Sequence, residues 1–152
     1  MLFDQLYADH RQIVNTVNKL IRMIDPENPA PIAEISEVRG ELAAISDAHL
    51  AREQKLVAKV LGDSDDYVAR TIAKRYASGL VDLQLSLNTH TGKWNAAHVK
   101  ADPKGYRIAV REQFALAVKR IEWEERIVFP LMQHVRATAQ DKGVAAFAVA
   151  CM

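Results

Sequence analysis

Apolar residues recur every three or four positions through four long segments of this chain, and no stretch alternates with the period of two that a half-buried strand requires. That spacing places the apolar side chains on one stripe of each helix, and a stripe must be buried against others. The first segment covers roughly residues 2–24, with Phe3, Leu6, His10, Ile13, Val17 and Leu20 on its stripe. The stretch DPENPAP follows, and its three prolines forbid helix continuation. The second segment starts near Pro31, suited to a first helical position, and carries Ile35, Val38, Leu42, Ile45, His49, Glu53, Leu56 and Val60 before ending at Gly62. The third opens in the acidic run SDD, favourable at a helix N-terminus, carries Ile72, Tyr76, Leu80, Leu83, Leu87, His90 and Trp94, and closes at ADP. Asp102 and Pro103 suit the cap and first position of the fourth, whose stripe includes Val110, Phe114, Ala117, Ile121, Glu124, Val128 and Leu131. Pro130 is expected to kink or end that helix.

Four helices joined by short connections pack best antiparallel with their stripes inward. The expected fold is therefore all-α, an up-and-down four-helix bundle over residues 1–140 followed by a short apolar tail over 141–152. A chain of 152 residues fits one such domain. With 49% hydrophobic and 26% charged residues it has the composition of a folded, water-soluble protein.

The longest uncharged apolar run, GVAAFAVACM from Gly143, is about half of the roughly 20 residues a membrane-spanning helix needs. The N-terminus MLFDQLYADH lacks the basic and apolar regions of a secretory signal, so the expected compartment is the cytoplasm. One cysteine, Cys151, excludes an internal disulfide framework and any multi-thiolate metal site. A formal net charge of +1 supplies no field to attract nucleic acid or anionic lipid, so Arg70, Lys74 and Arg75 read as a solvated helix face. Trp94, Trp123 and Phe129 read as packing residues, and His98 and His134, near helix ends, receive no role.

Five polar residues fall where the stripes call for Leu or Ile: His10 on the first, His49 and Glu53 on the second, His90 on the third and Glu124 on the fourth. Residues four apart differ by about 40° in direction, so His49 and Glu53 aim at one point from adjacent turns. An ionised carboxylate inside an apolar bundle costs several kcal/mol, and two facing each other cost more unless a cation lies between them. Each residue taken alone has an ordinary explanation, a histidine bonded to a neighbour or a glutamate paired with arginine. All five on four stripes point to a metal, and imidazole with carboxylate suits iron, manganese or zinc. A ferritin-like di-iron site is disfavoured, because its Glu-x-x-His motif would need an acid at Ser46 or Leu87. Gly-rich phosphate loops and nucleophile arrangements are not visible, and no catalytic residue is assigned.

DHRQI around His10, HLARE from His49 to Glu53, the lone His90 and WEERIVFP from Trp123 to Pro130 occur in the order and spacing that resembles the hemerythrin-like, or HHE cation-binding, domains. The resemblance spans nearly the whole chain. It implies two irons between the helices, bridged by two carboxylates and a solvent-derived oxygen, with dioxygen bound reversibly at one of them. Carried over, Glu53 and Glu124 would bridge, His10 and His49 would bind one metal and His90 the other. Two departures fall on that second metal: Arg120 stands where the family's second HxxxE motif has histidine, and Trp94 stands where well-known members have another. Arg120 is expected either to place its guanidinium where the second cation would have been or to lie outside, paired with Glu124 or a neighbour.

The expected function is binding of a non-haem metal, iron as one or two ions or another divalent metal, either to sense or bind a small diatomic ligand such as O2 or NO or to handle iron. The alternative is a bundle that has lost its metal and serves as a protein-interaction or regulatory module. Neither expectation involves nucleic acid or membrane, and both leave room for a homo-oligomer or a protein partner.

Overall fold

A computed structural model describes residues 2–139 of the chain. It is all-helical, with no strand among the described residues. Five α-helices follow in order: α1 Leu2–Met23, α2 Ile32–Val57, α3 Tyr67–Lys93, α4 Ala96–Ala101 and α5 Pro103–Trp123. Two of them run on into π-helical turns, α2 into Ala58–Gly62 and α5 into Glu124–Val128, and residues 129–139 continue the latter as helix. The apolar segment 141–152 with Cys151 lies outside the described residues.

The helix ends follow from local chemistry. Pro31, with its fixed φ, stands just before α2. The Asp66 carboxylate accepts from Val68 N–H at the start of α3, and Asp102 accepts from Gly105 N–H at the start of α5 beside Pro103. Two expectations need correction. The third segment does not run unbroken to ADP: Trp94 leaves helical geometry at φ −98°, ψ 62°, and the Asn95 side chain caps a new short helix, α4, by accepting from His98 N–H. Pro130 does not end the last helix, which continues to residue 139. The π turn before it widens the backbone, so Phe129 N–H reaches Glu124 O and the proline ring meets a loosened turn.

Two apolar clusters form the interior. One gathers Leu6 of α1, Leu56 and Val57 of α2, Tyr76 and Leu80 of α3, and Val128, Phe129 and Met132 after α5. The other gathers Val17 and Leu20 of α1 with Ile24 just after it, Ile35 and Val38 of α2, Trp94 at the end of α3, and Tyr106 and Val110 of α5. Each long helix therefore begins in one cluster and ends in the other, in alternation. Burying a large apolar side chain contributes about 1.5–3 kcal/mol, so these clusters supply the drive that holds the helices together. Between Leu6 and Val17, where α1 passes from one cluster to the other, lies His10. No helix among the described residues is long and apolar enough to cross a membrane.

Candidate metal centre

Beside the first cluster, against its Phe129 and Tyr76, four of the residues that break the stripes converge. His10, His49, Glu53 and Glu124 are each 3% exposed or less. One ligand atom from each lies within 4.8 Å of all the others. His10 Nε2 is 3.5 Å from Glu53 Oε2 and 3.2 Å from Glu124 Oε1, and His49 Nε2 is 2.8 Å from Glu53 Oε2. Donors held at about 2.1 Å from one ion lie roughly 3 Å apart when adjacent and 4.2 Å apart when opposite, so a contraction of a few tenths of an ångström closes the set around a cation.

The imidazoles are oriented from behind. His10 Nδ1 is 2.9 Å from Glu125 Oε1, and His49 Nδ1 is 3.1 Å from Asp9 Oδ2. An ionised carboxylate only accepts, so when the ring is neutral its proton belongs on Nδ1 and the Nε2 lone pair is aimed inward. Asp9 is itself held, by Arg52 at 2.7 Å and by Gln5 at 2.8 Å. Phe129 stacks on the His10 ring at 5.3 Å between centroids and closes the centre on that side. The π turn has a direct consequence here. By widening the helix at Glu124 it lets two consecutive glutamates, Glu124 and Glu125, reach opposite nitrogens of the same imidazole.

Behind the carboxylates stand two further residues. Tyr76 O–H donates to Glu53 Oε1 at 2.6 Å. Arg120 Nε lies 3.1 Å from Glu124 Oε2, its NH2 donates to Tyr76 O, and its guanidinium covers the Tyr76 ring. Of the two placements expected for Arg120, the chain adopts the inward one, with the side chain 12% exposed.

The electrostatics show what is missing. Asp9, Glu53, Glu124 and Glu125 face Arg52 and Arg120, which leaves two negative charges uncompensated while the imidazoles are neutral. In the metal-free chain protons make up the difference. Burial pushes the His10 imidazole down, but the facing carboxylates of Glu124, Glu53 and Glu125 outweigh it and raise the ring to about 10. His49 is raised against burial by Glu53 and Asp9. Burial, with the Glu53 charge beside it, pushes Glu124 up to about 7, whereas Glu53, despite complete burial, is held low by His10 and His49. The protons are poorly accommodated. His10 Nε2 and Glu53 Oε2 are buried at 3.5 Å from each other yet lack aligned hydrogen bonds among the described residues, and Glu124 Oε2 and Arg120 Nε, on the other side, are buried and unaligned in the same way. Lone pairs that converge without aligned donors fit a divalent cation, which needs no linear hydrogen.

His90 is the expected ligand that the fold does not bring in. Tyr76, not His90, is the α3 residue at the level of Glu53, and an offset of 14 positions places His90 about 21 Å farther along the helix. It stacks on Tyr106 at 5.9 Å, and burial together with the Arg39 charge lowers its pKa. Trp94 is likewise a packing residue of that end. A groove of about 380 Å³ lined by Leu85, Ser86, His90, Trp94 and Gln113 opens there, and a second of the same size lies between Pro29 and Pro103; neither touches the centre. Sequence reasoning missed Asp9, Glu125 and Tyr76. The signals were an acid adjoining a candidate ligand and a tyrosine on an interior stripe, whose hydroxyl must find a partner.

Comparisons with protein-family models, with curated proteins and with solved structures return no match for this chain, so the chemistry assigned to the centre rests on its own geometry.

Proposed function

We propose that this chain is a non-haem metal-binding protein, an up-and-down four-helix bundle of hemerythrin-like type, whose centre holds iron and binds a small ligand such as dioxygen or nitric oxide. The observation that carries the reading is the convergence of two imidazole Nε2 atoms and two buried carboxylates from three helical segments on one point. Imidazole and carboxylate together suit iron, with manganese and zinc as the nearest substitutes. His10 and His49 would supply the neutral donors and Glu53 and Glu124 the anionic ones. A bound ion supplies positive charge and open coordination positions, since four protein donors do not complete a six-coordinate shell. Burial of all four ligands, with the two grooves lying away from them, favours sensing, binding or iron handling over chemistry on an organic substrate.

A metal-free interaction module is the competing reading, favoured by one observation: Arg120, Tyr76 and the two histidines already give both central carboxylates partners within the chain. The test is anaerobic addition of ferrous iron to protein purified without a histidine tag, followed by desalting, metal analysis and exposure to nitric oxide. Retained iron with a new visible absorption on nitric oxide addition is expected. No retained iron, manganese or zinc would leave the interaction module.

A further inference from the structure

Each central carboxylate divides its two oxygens between two sides. Glu53 turns Oε2 to the histidines and Oε1 to the Tyr76 hydroxyl at 2.6 Å; Glu124 turns Oε1 to His10 and Oε2 to Arg120 Nε at 3.1 Å. On the histidine side the free lone pairs ask for a cation. The other side already has one. We propose that the Arg120 guanidinium, with Tyr76, acts as a built-in second cation that limits the centre to a single metal ion, an inference that rests on the metal-binding reading above.

Three observations carry it. Arg120 is held from several directions: Nε is at ion-pair distance from Glu124 Oε2 without an aligned hydrogen bond, NH2 donates to Tyr76 O, and the plane lies over the Tyr76 and Trp123 rings at 4.6 and 5.9 Å. Room for it is made on α3 by Gly79, where a Cβ would meet Arg120 NH1 at 2.8 Å. A side chain at this position would have to displace the guanidinium from where it lies. The charges close on the same answer. Two uncompensated negative charges are neutralised by one divalent ion, and a second would leave a buried positive excess beside a fixed guanidinium. Arg120 cannot relieve that excess by losing its proton, because arginine does not deprotonate in proteins.

The test counts ions. Metal-free full-length protein is titrated anaerobically with manganese(II), desalted and analysed for metal per folded chain, and its electron paramagnetic resonance spectrum is recorded. The wild type is expected to hold one ion with the six-line signal of isolated manganese. Arg120→His, which puts an imidazole one turn before Glu124, is expected to raise the count toward two and to produce the broadened signal of a coupled pair, with Glu124 Oε2 released as a donor. Arg120→Lys keeps the charge and should stay at one. Two ions in the wild type would overturn the inference while leaving the metal-binding reading intact. One ion in a folded Arg120→His variant would overturn it as well, since something other than the guanidinium would then set the limit. No ion in the wild type would overturn the metal-binding reading, and this inference with it. Should Arg120→His fail to fold, the wild-type count and spectrum still decide between one ion and two.

Discussion

The two ends of the bundle each bury or half-bury a histidine on an inward stripe, and they use it in opposite ways. At one end His10 and His49 meet carboxylates: Glu53 and Glu124 in front, Glu125 and Asp9 behind. At the other end His90 meets aromatic rings and a cation. It stacks on Tyr106, Arg39 lies over the ring of that tyrosine at 5.3 Å and donates to Trp94 O at 2.6 Å, and Trp94 stacks on His98. The pKa values diverge accordingly, His10 raised to about 10 and His90 lowered by burial and Arg39. A histidine that interrupts an apolar stripe becomes a ligand through what faces it. Its position on the stripe alone does not decide.

The contrast can be broken most forcefully at the aromatic end. Trp94 is buried among Val17, Leu20, Val99 and Tyr106, so Trp94→Ala should destabilise the fold by about 3–5 kcal/mol through the cavity it leaves. Metal affinity per folded chain should be unchanged; denaturant unfolding and metal titration on the same sample check both halves. Glu53→Ala should do the reverse. It removes the carboxylate that faces both imidazoles and strands the Tyr76 hydroxyl, and metal affinity should fall by more than about a hundredfold, beyond the loss typical of an outer partner. Competition against a chelator of known affinity measures it. Asp9→Ala leaves every ligand in place but frees His49 Nδ1, and a loss of about ten- to a hundredfold is expected in the same assay.

A pH series sharpens the comparison without substitution. His10 in the metal-free fold is raised from 6.5 to about 10, so its contribution to stability is complete below pH 6.5 and is lost as pH rises through 10. Glu124, raised from 4.5 to about 7, favours the fold while protonated and loses that contribution as pH rises from 4.5 through 7. Both work in one direction. The melting temperature of metal-free protein should fall as pH rises above neutrality, and the stabilisation by added zinc should grow over the same interval because the ion replaces those protons. Calorimetry with and without zinc at a series of pH values checks it; a gap that narrows with pH would contradict the charge balance derived for the centre.

Much of this was legible in the sequence, for identifiable reasons. Leu6, Val17, Leu20, Tyr76, Leu80 and Val128, placed on inward stripes by spacing alone, are all buried, because the helical period is a property of the backbone and needs no knowledge of neighbours. Asp66, Asp102 and Pro103 marked helix starts because a cap acts on its own first turn. Position along a helix was harder to read. His90 and Tyr76 share a stripe, and only the packing of α3 against α2 selects which of them stands level with Glu53. Asn95 was overlooked because it lies inside an otherwise periodic stretch, and the break shows only in the Trp94 backbone. Asp9 and Glu125 lie beside ligands in sequence. Spacing placed neither on a stripe, and in the case of Glu125 it is the π turn that rotates the residue inward.

The smallest expected effect, that of His90→Ala, belongs to the most direct test, a side-by-side metal titration of wild type, His49→Ala and His90→Ala under one buffer and pH, with helicity checked by circular dichroism. His49 Nε2 lies 2.8 Å from Glu53, whereas His90 stacks on Tyr106 at the far end. The centre described here predicts that His49→Ala loses more than about a hundredfold in affinity, as an outer partner's loss sets the lower bound. It predicts that His90→Ala stays within about twofold of the wild type, because sites this far apart act independently. Equal losses in the two variants, or metal retained at full affinity by His49→Ala, would contradict it.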